Sequence, residues 1–199
     1  MYTGSVLTSE MKSEIIRKLL HFLVALSVLL ASVHLVFTLI LLLAGTVIYT
    51  IFEILRLHGI RIPVISALTS FASRPHEKDR FVLGPVTLGA GAFCSLLIFP
   101  PIPAAIAVFA LAFGDGLASL AGKAFGRLRP RFLFGKSIEG SFVCFAVVCI
   151  CSYLVSGNIA VAFFSALTAM LVESLPLGDF DNLLMPLAAG LAVQLTLAL

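Results

Sequence analysis

Residues 102–123 read IPAAIAVFALAFGDGLASLAGK, an apolar run interrupted near its end by one carboxylate, Asp115. A helix needs about 20 mostly apolar residues to cross the ~30 Å hydrocarbon core of a bilayer, and this stretch has that length. Asp115 lies six residues before Ala121, where the run ends, so at 1.5 Å per residue it sits about 9 Å inside the segment. An ionised carboxylate at that depth is costly unless it meets a cation, a metal or a water-filled cavity. The bland alternative is an Asp paired with a neighbouring Arg. Ser119 and Lys123 follow at four-residue steps and share the face of Asp115. Gly114, Gly116, Ala118 and Gly122 admit close approach by another helix or a ligand.

The rest of the chain extends this reading. Of its 199 residues 60% are hydrophobic and 12% charged, against about 45–50% and 25% in soluble domains. A soluble globular protein is excluded, and little polar sequence is left for a separate catalytic domain. Further apolar runs at 19–33, 35–55, 83–99, 140–155, 159–175 and 183–199 predict, with 102–121, an all-α polytopic bundle of about seven transmembrane helices forming one integral membrane domain over 1–199. Short uncharged turns around 32–34, 100–103 and 156–158 alternate with charged stretches at 1–18, 56–82, 122–139 and 173–182. All 13 basic residues lie in the first three of these stretches. The positive-inside rule then places the N-terminus and the charged loops in the cytoplasm and the C-terminus outside.

No cleavable signal peptide, lipidation box or nucleic-acid partner is expected, and the short leader and compact size point to a bacterial cytoplasmic membrane. Cys94, Cys144, Cys149 and Cys151 lie inside apolar runs without metal-ligand spacing and read as packing residues. Residues 70–80, SFASRPHEKDR, form the most polar stretch, read either as a lid or as a solvated loop meeting anionic headgroups.

Three further clusters share the charged side with Asp115. In residues 14–22, EIIRKLLHF, Glu14, Arg17 and His21 fall on one helical face running into an apolar helix, while Lys18 reads as an interfacial anchor. Residues 135–141, GKSIEGS, invite a phosphate-loop reading. That motif requires Gly at position 130, occupied here by Pro130, so what remains is Lys136, Ser137 and Glu139 at a helix N-terminus, a position that favours phosphate. Residues 173–182, ESLPLGDFDN, end one helix at Pro176 and Gly178 and set Asp179, Asp181 and Asn182 before the next. Magnesium takes one or two carboxylates together with substrate phosphates, whereas the bland reading of Asp181 and Asn182 is helix capping. A transporter would need polar groups through both leaflets, and the outer half offers little beyond His34, several Ser and Thr, and Asn158.

In order and spacing, these pieces resemble the CTP-using polyprenol (dolichol), phytol and diacylglycerol kinases, membrane proteins distantly related to phosphatidate cytidylyltransferases. The resemblance spans residues 14–186. It runs through Arg17-Lys18-x-x-His21, Glu53-x-x-Arg56, Glu77 before Gly84-Pro85, Gly114-Asp115-Gly116, Gly122-x-x-x-Gly126-Arg127, Lys136-Ser137-x-Glu139-Gly140-Ser141, and Glu173 with Asp181-Asn182 and Pro186. The cytidylyltransferases usually carry Thr after the Lys and a longer terminal Gly/Asp signature, which this chain lacks, so the transferase is the second reading. The resemblance implies transfer of a nucleotide γ-phosphate, with CTP as donor and Mg2+, to the hydroxyl of a membrane lipid alcohol. The expected metal ligands are Asp115 and Asp181, with Asp179 as substitute. Arg17, Lys123, Arg127 and Lys136 are expected on phosphate, with Ser137 and Asn182 also at the nucleotide. Glu139 is the first choice for orienting the hydroxyl or acting as base and His21 the second. Gly89, Gly91 and Gly116 are candidates for a groove holding the lipid tail.

Overall fold

The computed structural model describes residues 3–60 and 80–199, and among these every regular element is helical. Helix α1 covers Thr3–Val24 and α2 Leu26–Leu57, followed by α3 Gly84–Ile98 and α4 Pro101–Phe109. A π-helical turn, Ala110–Asp115, joins α4 to α5, Gly116–Ala124. Helices α6 Ile138–Ser156, α7 Ile159–Glu173 and α8 Asp181–Ala198 complete the bundle. Glu77, Arg74, Lys78 and most of the polar stretch 70–80 lie outside the described residues.

The breaks follow local chemistry. His34 has non-helical dihedrals inside α2 (φ −152°, ψ 91°) and its ring Nδ1 accepts from the Phe37 amide at 3.1 Å, starting the second arm of that helix. Pro100 separates α3 from α4 because a proline cannot donate the amide needed to continue a helix. Gly157 closes α6 in the left-handed region (φ 65°), where a side chain would be strained, and Asn158 caps α7 by accepting from the Ala160 and Val161 amides.

Each expected apolar run therefore carries a helix, but their lengths differ. Four helical stretches are long and apolar enough to cross a membrane: Glu14–Leu57, Pro101–Ala124, Ile138–Ser156 and Gly178–Ala198. Helices α3 and α7 have 15 residues each, about 22 Å at 1.5 Å per residue, short of the ~30 Å hydrocarbon core. Both are cut by the breakers at their ends, Gly84, Pro85 and Pro100 for α3, Asn158 and Pro176 for α7.

The π turn lies at the centre, packed against α1 and against every helix from α3 to α8, and Ala110, Leu111 and Ala112 are fully buried. Around it, small residues let backbones approach: Ala118, Ala166, Ala169 and Ala189 form one cluster with Cys144, Val148 and Met185. Large side chains such as Leu29, Phe142 and Leu154 face outward, as expected of helices whose outer solvent is hydrocarbon. Where α5 crosses α6, a Cβ on Gly140 would stand 2.8 Å from the Ala118 carbonyl oxygen. That contact explains the glycine after Glu139 and brings the two charged clusters together.

On the loop-bearing end, Glu53 is fully buried and accepts from Arg56 Nε (2.9 Å) and Nη2 (2.8 Å) and from the Val82 amide (2.9 Å). Arg56 Nη2 also donates to the Arg80 carbonyl at 2.7 Å. The Glu53-x-x-Arg56 pattern thus pins the entry to α3 against α2, and with it Gly84 and Pro85.

Candidate functional site

The charged ends of α1, α5, α6 and α8 meet around one polar cavity of about 170 Å³. Its wall includes Asp115, which is only 6% exposed. The cation that a carboxylate at this depth requires is Lys18: its Nζ lies 2.5 Å from Asp115 Oδ2, and the residue is 3% exposed. His21 Nε2 approaches the same oxygen at 3.1 Å and Asn182 Oδ1 at 3.0 Å, while Nδ1 donates to the Arg17 carbonyl at 2.9 Å. Asn182 Nδ2 in turn donates to Thr87 Oγ1 at 3.1 Å. One chain of contacts therefore ties α1, the π turn, α8 and α3 together at Asp115. The π turn offsets the helical register immediately before Asp115, and such turns concentrate at functional sites.

A second centre is Glu14, buried, which accepts from Ser119 Oγ at 2.5 Å and Lys123 Nζ at 2.6 Å and faces Arg17 at 3.4 Å. On the opposite wall, Lys136 Nζ lies 3.1 Å from Glu173 Oε1 and 3.9 Å from Asp181 Oδ2, and donates to the Glu173 carbonyl. Glu173 also accepts from Ser141 Oγ at 3.3 Å. Asp179 lines the cavity too. It makes no hydrogen bond or ion pair with a described residue, and its Oδ1 stands 3.7 Å from where a Cβ on Gly84 would be.

The chain is 32% identical over 140 residues to a phytol kinase of Synechocystis sp., an alignment covering 66% of this chain and 59% of that protein. It is 28% identical over 160 residues to probable phytol kinase 1, chloroplastic, of Oryza sativa subsp. japonica, covering 69% of this chain and 50% of that protein. The chain is thus similar to two phytol kinases over about two thirds of its own length. It spans 59% and 50% of the lengths of these two relatives. No family model matches the chain, and no solved structure does.

Most of the expected residues converge. Arg17, Asp115, Lys123, Lys136, Ser137, Asp179, Asp181 and Asn182 all line the cavity, with His21 directly behind it. Two expected residues do not. Glu139 Oε1 accepts from the Arg127 and Leu128 amides at 2.9 and 3.2 Å, so its carboxylate braces the loop before α6 and is not among the cavity's lining residues. Arg127 is likewise not in the wall. Arg129 lies there instead, its guanidinium fixed by the carbonyls of Gly135 (2.8 Å) and Gly122 (2.8 Å). Ser137 caps α6 by accepting from the Gly140 amide at 3.1 Å, and the Ile138 amide donates to Leu128, so the start of α6 is already partly satisfied.

Lys18 and Glu173 were not expected in the site. Lys18 is no interfacial anchor, since its ammonium is buried on Asp115. Gly91 and Gly116 do not form a groove. A Cβ on Gly91 would meet the Asn182 carbonyl oxygen at 2.1 Å and one on Gly116 the Phe22 ring at 2.7 Å.

Among the described residues no group of three His, Cys, Asp or Glu side chains is arranged to hold a metal ion. One or two carboxylates suffice for a magnesium that arrives on phosphate and keeps phosphate or water as its other ligands. Asp115 and Asp181, both lining the cavity, fit that requirement.

Proposed function

We propose that this protein is a membrane kinase that transfers the γ-phosphoryl group of a nucleoside triphosphate, CTP by resemblance, to the hydroxyl of an isoprenoid alcohol. The observation that carries the reading is Asp115, buried on Lys18 and His21 in the wall of a cavity that also holds Lys136, Asp179 and Asp181. A structural protein gives no reason to surround an embedded carboxylate with a polar cavity, and the names of the phytol kinase relatives supply the acceptor class.

Phosphoryl transfer asks chiefly for alignment and neutralisation of charge. Lys136, Arg17, Lys123 and Arg129 would contact the phosphates, with Asn182 beside them. Asp115 and Asp181 would hold Mg2+, which neutralises phosphate charge when bound. The lipid oxygen attacks the γ-phosphorus, the bond to the β,γ-bridging oxygen breaks, and the nucleoside diphosphate leaves. The hydroxyl proton goes to Asp179, the carboxylate without a described partner. His21 is a positioning residue, since both ring nitrogens are occupied by Arg17, Asn182 and Asp115.

The site faces the cytoplasm in a seven-crossing arrangement, supported by the basic residues on one side. In a background free of native cysteines, a cysteine at Ser156 is expected to react with an impermeant reagent in intact cells and one at Arg129 only after lysis. Labelling of Arg129 from outside would overturn that orientation. The activity itself is tested by incubating purified protein with Mg2+, a nucleoside triphosphate and a C20 isoprenoid alcohol. An alcohol monophosphate and a nucleoside diphosphate in equal amounts are expected; no phosphorylated lipid with any donor would refute the reading.

A further inference from the structure

Three cavities lie in series on the α1 side of the bundle. The polar cavity shares Arg17, Asp179 and Asn182 with a small one of about 20 Å³. That small cavity shares Leu20, Pro85 and Leu88 with an apolar groove of about 410 Å³ between the first arm of α2, its second arm and α3. The shared residues fix the order: phosphate-binding cavity, narrow passage, apolar groove.

The groove has the character of a hydrocarbon site. Three of the hydroxyls on its wall are committed to backbone: Thr38 Oγ1 donates to His34 O at 3.0 Å, Thr46 Oγ1 to Leu42 O at 2.8 Å and Tyr49 OH to Val82 O at 3.2 Å. It follows the chain from Leu20 to Leu30, about 15 Å at 1.5 Å per residue, or half of a ~30 Å hydrocarbon core. A lipid of the leaflet at the loop-bearing end spans that depth with its head at the passage. Gly89 lines this groove, and a Cβ there would meet Thr46 Oγ1, so the close approach of α2 and α3 forms its floor.

The passage sets what enters. A cavity needs about 10–15 Å³ of such volume to hold one water, so about 20 Å³ between Leu20, Pro85 and Leu88 accommodates a hydroxyl and the carbon that carries it. Resting on the kinase reading above, we propose that this groove holds the tail of the lipid alcohol acceptor, whose hydroxyl passes between Leu20, Pro85 and Leu88 to reach Asp179.

Gly45 provides the test. It lines the groove, and a Cβ there meets nothing within 4 Å, so Gly45→Phe fills the groove without displacing backbone. Leu43, 51% exposed and outside the groove, provides the control Leu43→Phe. A C20 isoprenoid alcohol carrying a photoactivatable diazirine in its tail is irradiated with each protein in nanodiscs, and the adducts are mapped. Adducts are expected on residues 20–30 and 38–49, competed by the unlabelled alcohol. They should fall at least about tenfold in Gly45→Phe, remain in Leu43→Phe, and leave nucleotide affinity unchanged in both. Adducts on the separate cavity beside Leu96 and Phe99, or labelling indifferent to Gly45→Phe, would overturn the proposal. Because labelling needs no turnover, a protein that labels as expected but phosphorylates no alcohol refutes the kinase reading and leaves the groove assignment standing.

Discussion

Asp115→Asn is expected to lower turnover by about a thousandfold or more, the scale on which loss of one preorganised charge at a transferring group is felt. The amide keeps the size of the side chain but removes the charge opposite Lys18. Lys18, 3% exposed, is then left with Glu14 Oε1 at 3.9 Å as its remaining carboxylate contact. Breaking a buried pair from one side costs about 3–5 kcal/mol, so thermal unfolding of the purified variant should shift downward as well. The two effects separate in the double variant Lys18→Met with Asp115→Asn, which removes the orphaned charge. Stability should recover in large part while turnover stays lost. Near-normal turnover of Asp115→Asn at saturating Mg2+ would make Asp115 a structural ion-pair partner only.

Lys136→Met carries the second large effect. Lys136 is the cation on the wall opposite Lys18, 3.1 Å from Glu173 and 3.9 Å from Asp181, and in the proposed complex its ammonium turns to phosphate. Its loss should reduce kcat/KM for the nucleotide by about 10²–10³. Lys136→Arg should fall between the two, since a planar fork does not reproduce a compact ammonium. Because Glu173 is buried and loses its cation, Lys136→Met should also unfold at lower temperature, and adding Glu173→Gln should restore stability without restoring turnover. Unchanged nucleotide kinetics in a folded Lys136→Met protein would remove Lys136 from the phosphate site.

Much of this arrangement was legible in the sequence. From α2 onward the helices follow the apolar runs, whereas α1 also takes in the charged leader from Thr3, and the breaks at His34, Pro100 and Gly157 fall where turn chemistry placed them. The depth of Asp115 in such a run called for a cation, a metal or a water-filled cavity, and the structure sets Lys18 beside it in the wall of a polar cavity. The identity of that cation was not legible. Hydropathy reports that a segment leaves water but not its rotation, and no local signal marks the π turn that sets the direction of Asp115. Lys18 and His21, three residues apart, therefore looked like an anchor and a candidate base, where both in fact hold Asp115. The loop after α5 hid the exchange of Arg127 for Arg129 for a similar reason. Its path depends on a single 3₁₀ turn at Arg131–Leu133 and on Phe134 in the left-handed region (φ 50°), and two residues along an irregular backbone reverse which side chain faces the cavity. Glu139 shows the converse limit, since its type and position suited a base while its partners are the amides of its own loop.

The account stands most directly on which phosphorus the lipid attacks. CTP labelled separately on the γ-phosphate and on the cytosine ring, incubated with the purified protein, Mg2+ and a C20 isoprenoid alcohol, reports this in one extraction. The γ-label is expected in the lipid fraction as an alcohol monophosphate, with ring label remaining in water as the diphosphate. Ring label in the lipid fraction, dependent on phosphatidic acid and accompanied by pyrophosphate, would contradict the kinase mechanism and assign the cavity to cytidylyl transfer.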